Sequence, residues 1–90
     1  MSERTEAAHA DLLNAIAEAL NLPLPSIAAA DERDYHRLLE RRALAVRITL
    51  EANRAVSRDP RLAADAIRIR IAEEPVTYTP WKDERDGDAR

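Results

Sequence analysis

Apolar side chains recur along this chain with a helical period. Leu12, Leu13, Ile16, Ala17 and Leu20 share one face, with Asp11, Asn14 and Glu18 opposite. Ser2 stands where an N-cap belongs, Glu3 and Glu6 follow in the first turn, and Pro23 and Pro25 end the run. The pattern predicts a first helix over residues 3–20. Residues 21–30 read as a hinge in which Leu22, Leu24 and Ile27 tuck under the helices, with Ser26 or Asp31 capping the second helix.

The second helix is expected over residues 31–57, a rod of roughly 40 Å at about 1.5 Å per residue. Tyr35, Leu38, Leu39, Val46, Leu50 and Val56 form its main apolar face. Leu44, Ile48, Ala52 and Ala55 form a second strip. A narrow charged stripe separates them, carrying Arg33, His36, Glu40, Arg47, Glu51, Arg54 and Arg58. A helix that is apolar on most sides needs neighbours on most sides. Two polar residues interrupt the main face. Asn53 is a candidate for meeting its own copy or a polar partner across an interface, where one buried polar residue fixes register. Arg42 is a candidate partner for Asp11 or Glu18 of another helix, or else a side chain that snorkels to water.

Asp59-Pro60 is an N-cap followed by proline at the first helical position. It predicts a third helix over residues 60–74, antiparallel to the second because the connection is short. Its apolar arc includes Leu62, Ala63, Ala66, Ile67, Ile69 and Ile71. A rival reading exists. Ile67-Arg68-Ile69-Arg70-Ile71 alternates like a strand and could pair with Val76-Thr77-Tyr78-Thr79 as a hairpin. The flanking alanines and the Asp59 cap favour helix. The expected organisation is an all-α three-helix domain over 1–75, with an extended, partly disordered tail over 76–90. In that tail Tyr78 and Trp81 are aromatic anchors, for a partner or for the chain's own bundle.

Composition sharpens this reading. Eighteen alanines, no phenylalanine and a single glycine, Gly87, favour helices that approach closely. The absence of cysteine excludes disulfides and thiolate chemistry, and fits a reducing cytoplasmic setting. No apolar run approaches the roughly 18 residues of a membrane span, and the N-terminus has no signal-peptide character. Thirteen arginines stand against one lysine, and arginine with alanine marks GC-rich coding, as in a high-GC bacterium, its phage or a mobile element. Net charge is −3, made of −3 over 1–30, +3 over 31–72 and −3 over 73–90.

Candidate chemistry is sparse. Glu6 with His9, and Glu32 with His36 and Glu40, have the spacing of helical metal ligands, but each set alone is too small, and no cofactor is expected. One glycine cannot build a phosphate loop, and no serine or threonine sits beside a histidine in a nucleophile turn. The stretch Leu38-Leu39-Glu40-Arg41-Arg42-Ala43-Leu44-Ala45 resembles the first helix of all-helical chorismate mutases, which implies a dimeric helical enzyme. The resemblance covers eight residues. The lysine that family requires further along the helix is missing, since the only lysine is Lys82, so the family is not adopted.

The expectation is therefore a non-catalytic protein-interaction module, an adaptor, inhibitor or assembly accessory, that forms a dimeric helical bundle. Leu44, Ile48, Ala52, Ala55, Asn53, Tyr78 and Trp81 are its candidate interface residues. The alternative is a nucleic-acid-associated regulator using Arg47, Arg54 and Arg58, whose row could contact phosphates.

Overall fold

The structure, a computed structural model, describes residues 3–81. The Ser2 cap and the charged segment 82–90 lie outside the described residues. Three helices occur in order: α1 (Glu3–Leu20), α2 (Ala29–Ala55) and α3 (Pro60–Glu73). No strand occurs among the described residues, so the all-α expectation holds and the hairpin does not. The α3 helix keeps Ile67 buried and Ile71 half-buried at i and i+4, and leaves Ile69 63% exposed. That is a helical distribution; a strand would place all three on one face. The start of α3 is as the sequence reads. Asp59 is extended, its carboxylate accepts the Arg61 N–H at 2.9 Å, and Pro60 opens the helix.

The ends of α2 differ from expectation. It begins at Ala29, and its N-cap, Ala28, has no side-chain cap. Neither Ser26 nor Asp31 caps it. The Ser26 hydroxyl accepts the Ala28 N–H at 3.1 Å and donates to Asp31. It thereby makes a serine turn just before the helix. At the other end α2 stops at Ala55, and the chain turns through Arg58 at φ 57°. The Arg58 N–H donates to the Asn53 carbonyl at 2.7 Å. With no glycine nearby, an arginine takes a left-handed conformation that costs about 1–2 kcal/mol for a residue with a Cβ. Val56, expected on the core face, lies past the helix end and is exposed.

The α1 and α3 helices run parallel, with α2 antiparallel to both, in a slab of 47 × 30 × 15 Å. Both C-termini end against the middle of α2, so its N-terminal half projects past them. Two cores result. The first, among all three helices, gathers Ala15, Ala19, Val46, Ala64 and Ile67, with Leu12, Ile16, Leu50 and Ile71 around them. Three of its five buried members are alanines, which lets the backbones approach closely. Arg68 bridges α3 to α1 at its edge, 2.9 Å from Asp11 and 3.2 Å from Glu18. The Asp11 carboxylate is the main reason its pKa is raised.

The second core joins the projecting half of α2 to two extended segments. Leu22, Leu38 and Tyr78 are buried there against Tyr35 and Leu39. Residues 75–81 fold back as a strap along residues 22–26. Ser26 N–H donates to the Thr79 carbonyl at 3.0 Å, Trp81 N–H donates to the Leu24 carbonyl at 2.6 Å, and Pro25 faces Pro80 in one antiparallel bridge. The Tyr78 hydroxyl donates to the Pro23 carbonyl, and the Thr79 N–H donates to the Asp31 carboxylate at 3.2 Å. Of the three hinge residues expected to tuck under, only Leu22 does. Leu24 and Ile27 are 66% and 88% exposed.

Arg42 sits between the two cores and is buried. Its guanidinium donates to the Ala19 carbonyl at the end of α1 (3.3 Å) and to the Glu74 carbonyl at the end of α3 (2.8 and 3.3 Å). Asp11 and Glu18, its expected partners, are taken by Arg68. Arg42 instead satisfies terminal carbonyls of two helices, where both dipoles favour a cation.

Candidate functional site

The second strip of α2 remains open. Residues at i, i+4, i+8 and i+11 along one flank place Leu44, Ile48, Ala52 and Ala55 in line, beside the face that meets α1 and α3. Leu44 is 52% exposed and Ile48 44% exposed, while Ala52 and Ala55 are exposed as well. Opposite them, α3 supplies a second wall. A depression of about 230 Å³ lies between Leu44, Ala45 and Ile48 on one side and Arg70 and Ile71 on the other. A second, of about 310 Å³, continues it between Ile48, Ala52 and Val56 and the α3 residues Leu62 and Ala66. Ile48 and Arg70 line both, so the two are one groove along the α2–α3 seam. Its buried lining mixes Ala19, Val46, Thr49, Ala63 and Ile67, and the exposed Leu44, Ile48 and Leu62, the last 54% exposed, stand along it. Such an apolar channel between two helices has the form that accepts another helix.

The rims carry both signs of charge. Arg41 and Glu74 line the groove and lie 3.4 Å apart, and outside it Arg47 pairs with Glu51 at 3.1 Å within α2. These pairs are exposed and each contributes at most about 1 kcal/mol.

The other candidate residues are spread over the molecule. Asn53 borders the groove, but its amide nitrogen donates to the Ser57 hydroxyl (3.0 Å) and the Asp59 carbonyl (2.7 Å), bracing the α2–α3 turn. Tyr78, offered by the sequence as an anchor for a partner, is buried within its own chain, and burial first, then Tyr35, raises its hydroxyl pKa. Trp81 is 54% exposed and belongs to a separate patch with Leu24 and Ile27 at the far end of α2. Arg47, Arg54 and Arg58 are all exposed. Arg47 is committed to Glu51, and the Arg58 Nε donates to the Arg54 carbonyl at 3.3 Å, so the row is partly occupied with its own helix.

His36 lies 3.8 Å from Glu32 and Glu40 does not join them, while His9 is exposed. Among the described residues no three acidic or histidine side chains gather as a metal site would need, and no helix is long and apolar enough to cross a membrane.

The α3 wall of the groove was not singled out by the sequence. Leu62 and Ala66 do carry the signal, because a short α3 with apolar residues on two faces has more surface than one neighbour covers. No protein-family model, curated protein or solved structure matches this chain.

Proposed function

We propose that this protein is a small non-catalytic interaction module, and that the α2–α3 groove is where a second copy of the chain docks. The observation that carries the reading is the half-exposed pair Leu44 and Ile48 along the apolar α2–α3 groove. A chain of this size has little apolar surface to spare, and a contiguous patch of this kind marks a binding face.

A second copy fits for reasons of spacing and charge. Arg37, Arg41, Leu44, Ile48, Ala52 and Ala55 are spaced at intervals of four, three, four, four and three. That is close to the repeat of a helix seam that meets another helix. A twofold, antiparallel pairing that sets Leu44 against Ile48 of the second copy also sets Arg41 against Glu51 of the second copy, since both pairs share one midpoint along α2. Each contact then occurs twice, as an isologous dimer requires. Another protein's amphipathic helix is the competing occupant.

Sedimentation of the wild type and Ile48→Glu at tens of micromolar tests this. The wild type is expected as a dimer and the variant as a folded monomer of unchanged helical content. A wild-type monomer at that concentration, or a variant that stays dimeric, overturns the reading. The pair Arg41→Glu and Glu51→Arg gives a finer check: each alone weakens the dimer, and the two together restore it.

A further inference from the structure

We infer that the end of the molecule opposite the strap holds a site for a phosphate-bearing anion, formed by Arg4, Arg58 and Arg61 around a shallow depression. This site is separate from the groove and does not depend on it.

The three guanidinium groups come from three segments that are distant in sequence. Arg4 lies in the first turn of α1, Arg58 in the α2–α3 turn and Arg61 in the first turn of α3. The parallel arrangement of α1 and α3 brings both starts to one end, and the turn that closes α2 falls between them. All three side chains line one depression of about 410 Å³, with His9 beside them and Ala8 and Pro60 below. That volume is within the range of small-ligand sites.

The charge balance points the same way. The chain as a whole carries −3. Around this depression stand three arginines and one acid, Asp59, and one oxygen of Asp59 accepts the Arg61 backbone N–H rather than a guanidinium. Among the other described arginines, Arg41, Arg47 and Arg68 each have a carboxylate within 3.4 Å, while Arg33, Arg37, Arg54 and Arg70, which line no common depression, have none. No ion pair joins Arg4, Arg58 or Arg61 to a described carboxylate. What sets the three apart is that they line one depression together, three arginines against the single acid Asp59.

Guanidinium forks match phosphate oxygens two at a time, which makes arginine rather than lysine suited to this task. Three of them at one rim fit a polyphosphate or a phosphate monoester better than a single carboxylate. The Arg58 backbone, held at φ 57°, fixes the root of its side chain, whose Nε donates to the Arg54 carbonyl at 3.3 Å and leaves the terminal nitrogens for the anion.

Calorimetric titration with inorganic tripolyphosphate at low salt tests the inference on the intact chain. Wild type is expected to bind, with affinity falling as salt is added. Arg58→Gln with Arg61→Gln is expected to lower affinity at least about tenfold, each charge-assisted contact being worth roughly that factor. Arg4→Gln, on a different helix, lowers it independently. Arg33→Gln with Arg47→Gln removes the same charge from α2 and, compared at about 0.15 M salt where the Debye length is about 8 Å, changes affinity less than about twofold. No binding by the wild type, or an equal loss in the α2 control, overturns the site. A glutamate-rich peptide that binds more tightly than tripolyphosphate overturns the assignment to phosphate.

Discussion

The two cores of this protein are built on opposite plans. The three-helix core is built of apolar side chains, alanines with Val46 and Ile67, with polar contacts at its margins from Arg68 and from Arg42 to the Ala19 carbonyl. The strap core has three buried members and is held by directional bonds from Tyr78, Thr79, Ser26 and Trp81. The first is secured by area and close approach, the second by hydrogen bonds between segments without regular structure. Area-driven packing is lost all at once, whereas a strap held by a few bonds can open locally while the helices stay folded.

Truncation at the centre of the first core has the largest expected effect. Ile67 is 1% exposed, and Ile67→Ala should cost about 3–4 kcal/mol, as buried large-to-small changes do. Chemical denaturation would show it as a shifted midpoint for the whole molecule. If the variant unfolds only α3 and spares the rest, the claim of one cooperative core is wrong.

Next comes Arg42, which belongs to both regions. Arg42→Met keeps the stem and removes the donors to Ala19 and Glu74, with an expected loss of about 2–3 kcal/mol. Amide exchange should speed up at the ends of α1 and α3 and in the strap together. A loss confined to one helix end would separate the two cores that Arg42 is held to join.

The smallest effect separates the regions most cleanly. The Ser26 hydroxyl, and after it the Thr79 N–H, hold the Asp31 carboxyl below its usual pKa. A carboxylate depressed in the folded state stabilises that state above its unfolded pKa of about 3.9, and the contribution fades as pH falls through the lower folded value. Acidification below about pH 4 should therefore loosen the strap before the helices. Faster exchange of the Thr79 and Trp81 amides, with helical circular dichroism intact, would report it. Asp31→Asn should remove that pH dependence. Helices and strap melting together with acid would contradict the division.

Much of the fold is legible in the sequence, and the reasons are local. Proline placement and period set α1, and Asp59-Pro60 sets the start of α3. The misjudged ends of α2 are local too: Ser26 reaches into a turn of its own, and Arg58 takes a conformation that only glycine advertises. The strap is less legible, because its bonds join residues about fifty positions apart and involve backbone atoms that no side-chain pattern encodes. Arg42 is hard to read for the same reason. A cation on an apolar face looks for acids, and nothing in the sequence says that two helix ends will supply carbonyls instead. The groove fares better. Leu44, Ile48, Ala52 and Ala55 are a surplus visible by counting, while the α3 wall that turns the strip into a channel needs the packing.

The contact from Arg42 to both helix ends also sets a ruler inside the molecule. One planar group reaches the carbonyls of Ala19, in the last turn of α1, and of Glu74, just past α3, at once, so the two helices must finish at the same height against α2. Adding a residue within either would advance its end by about 1.5 Å and turn it by about 100°, carrying the carbonyl out of reach. The lengths of α1 and α3 are thus coupled, though they share no loop.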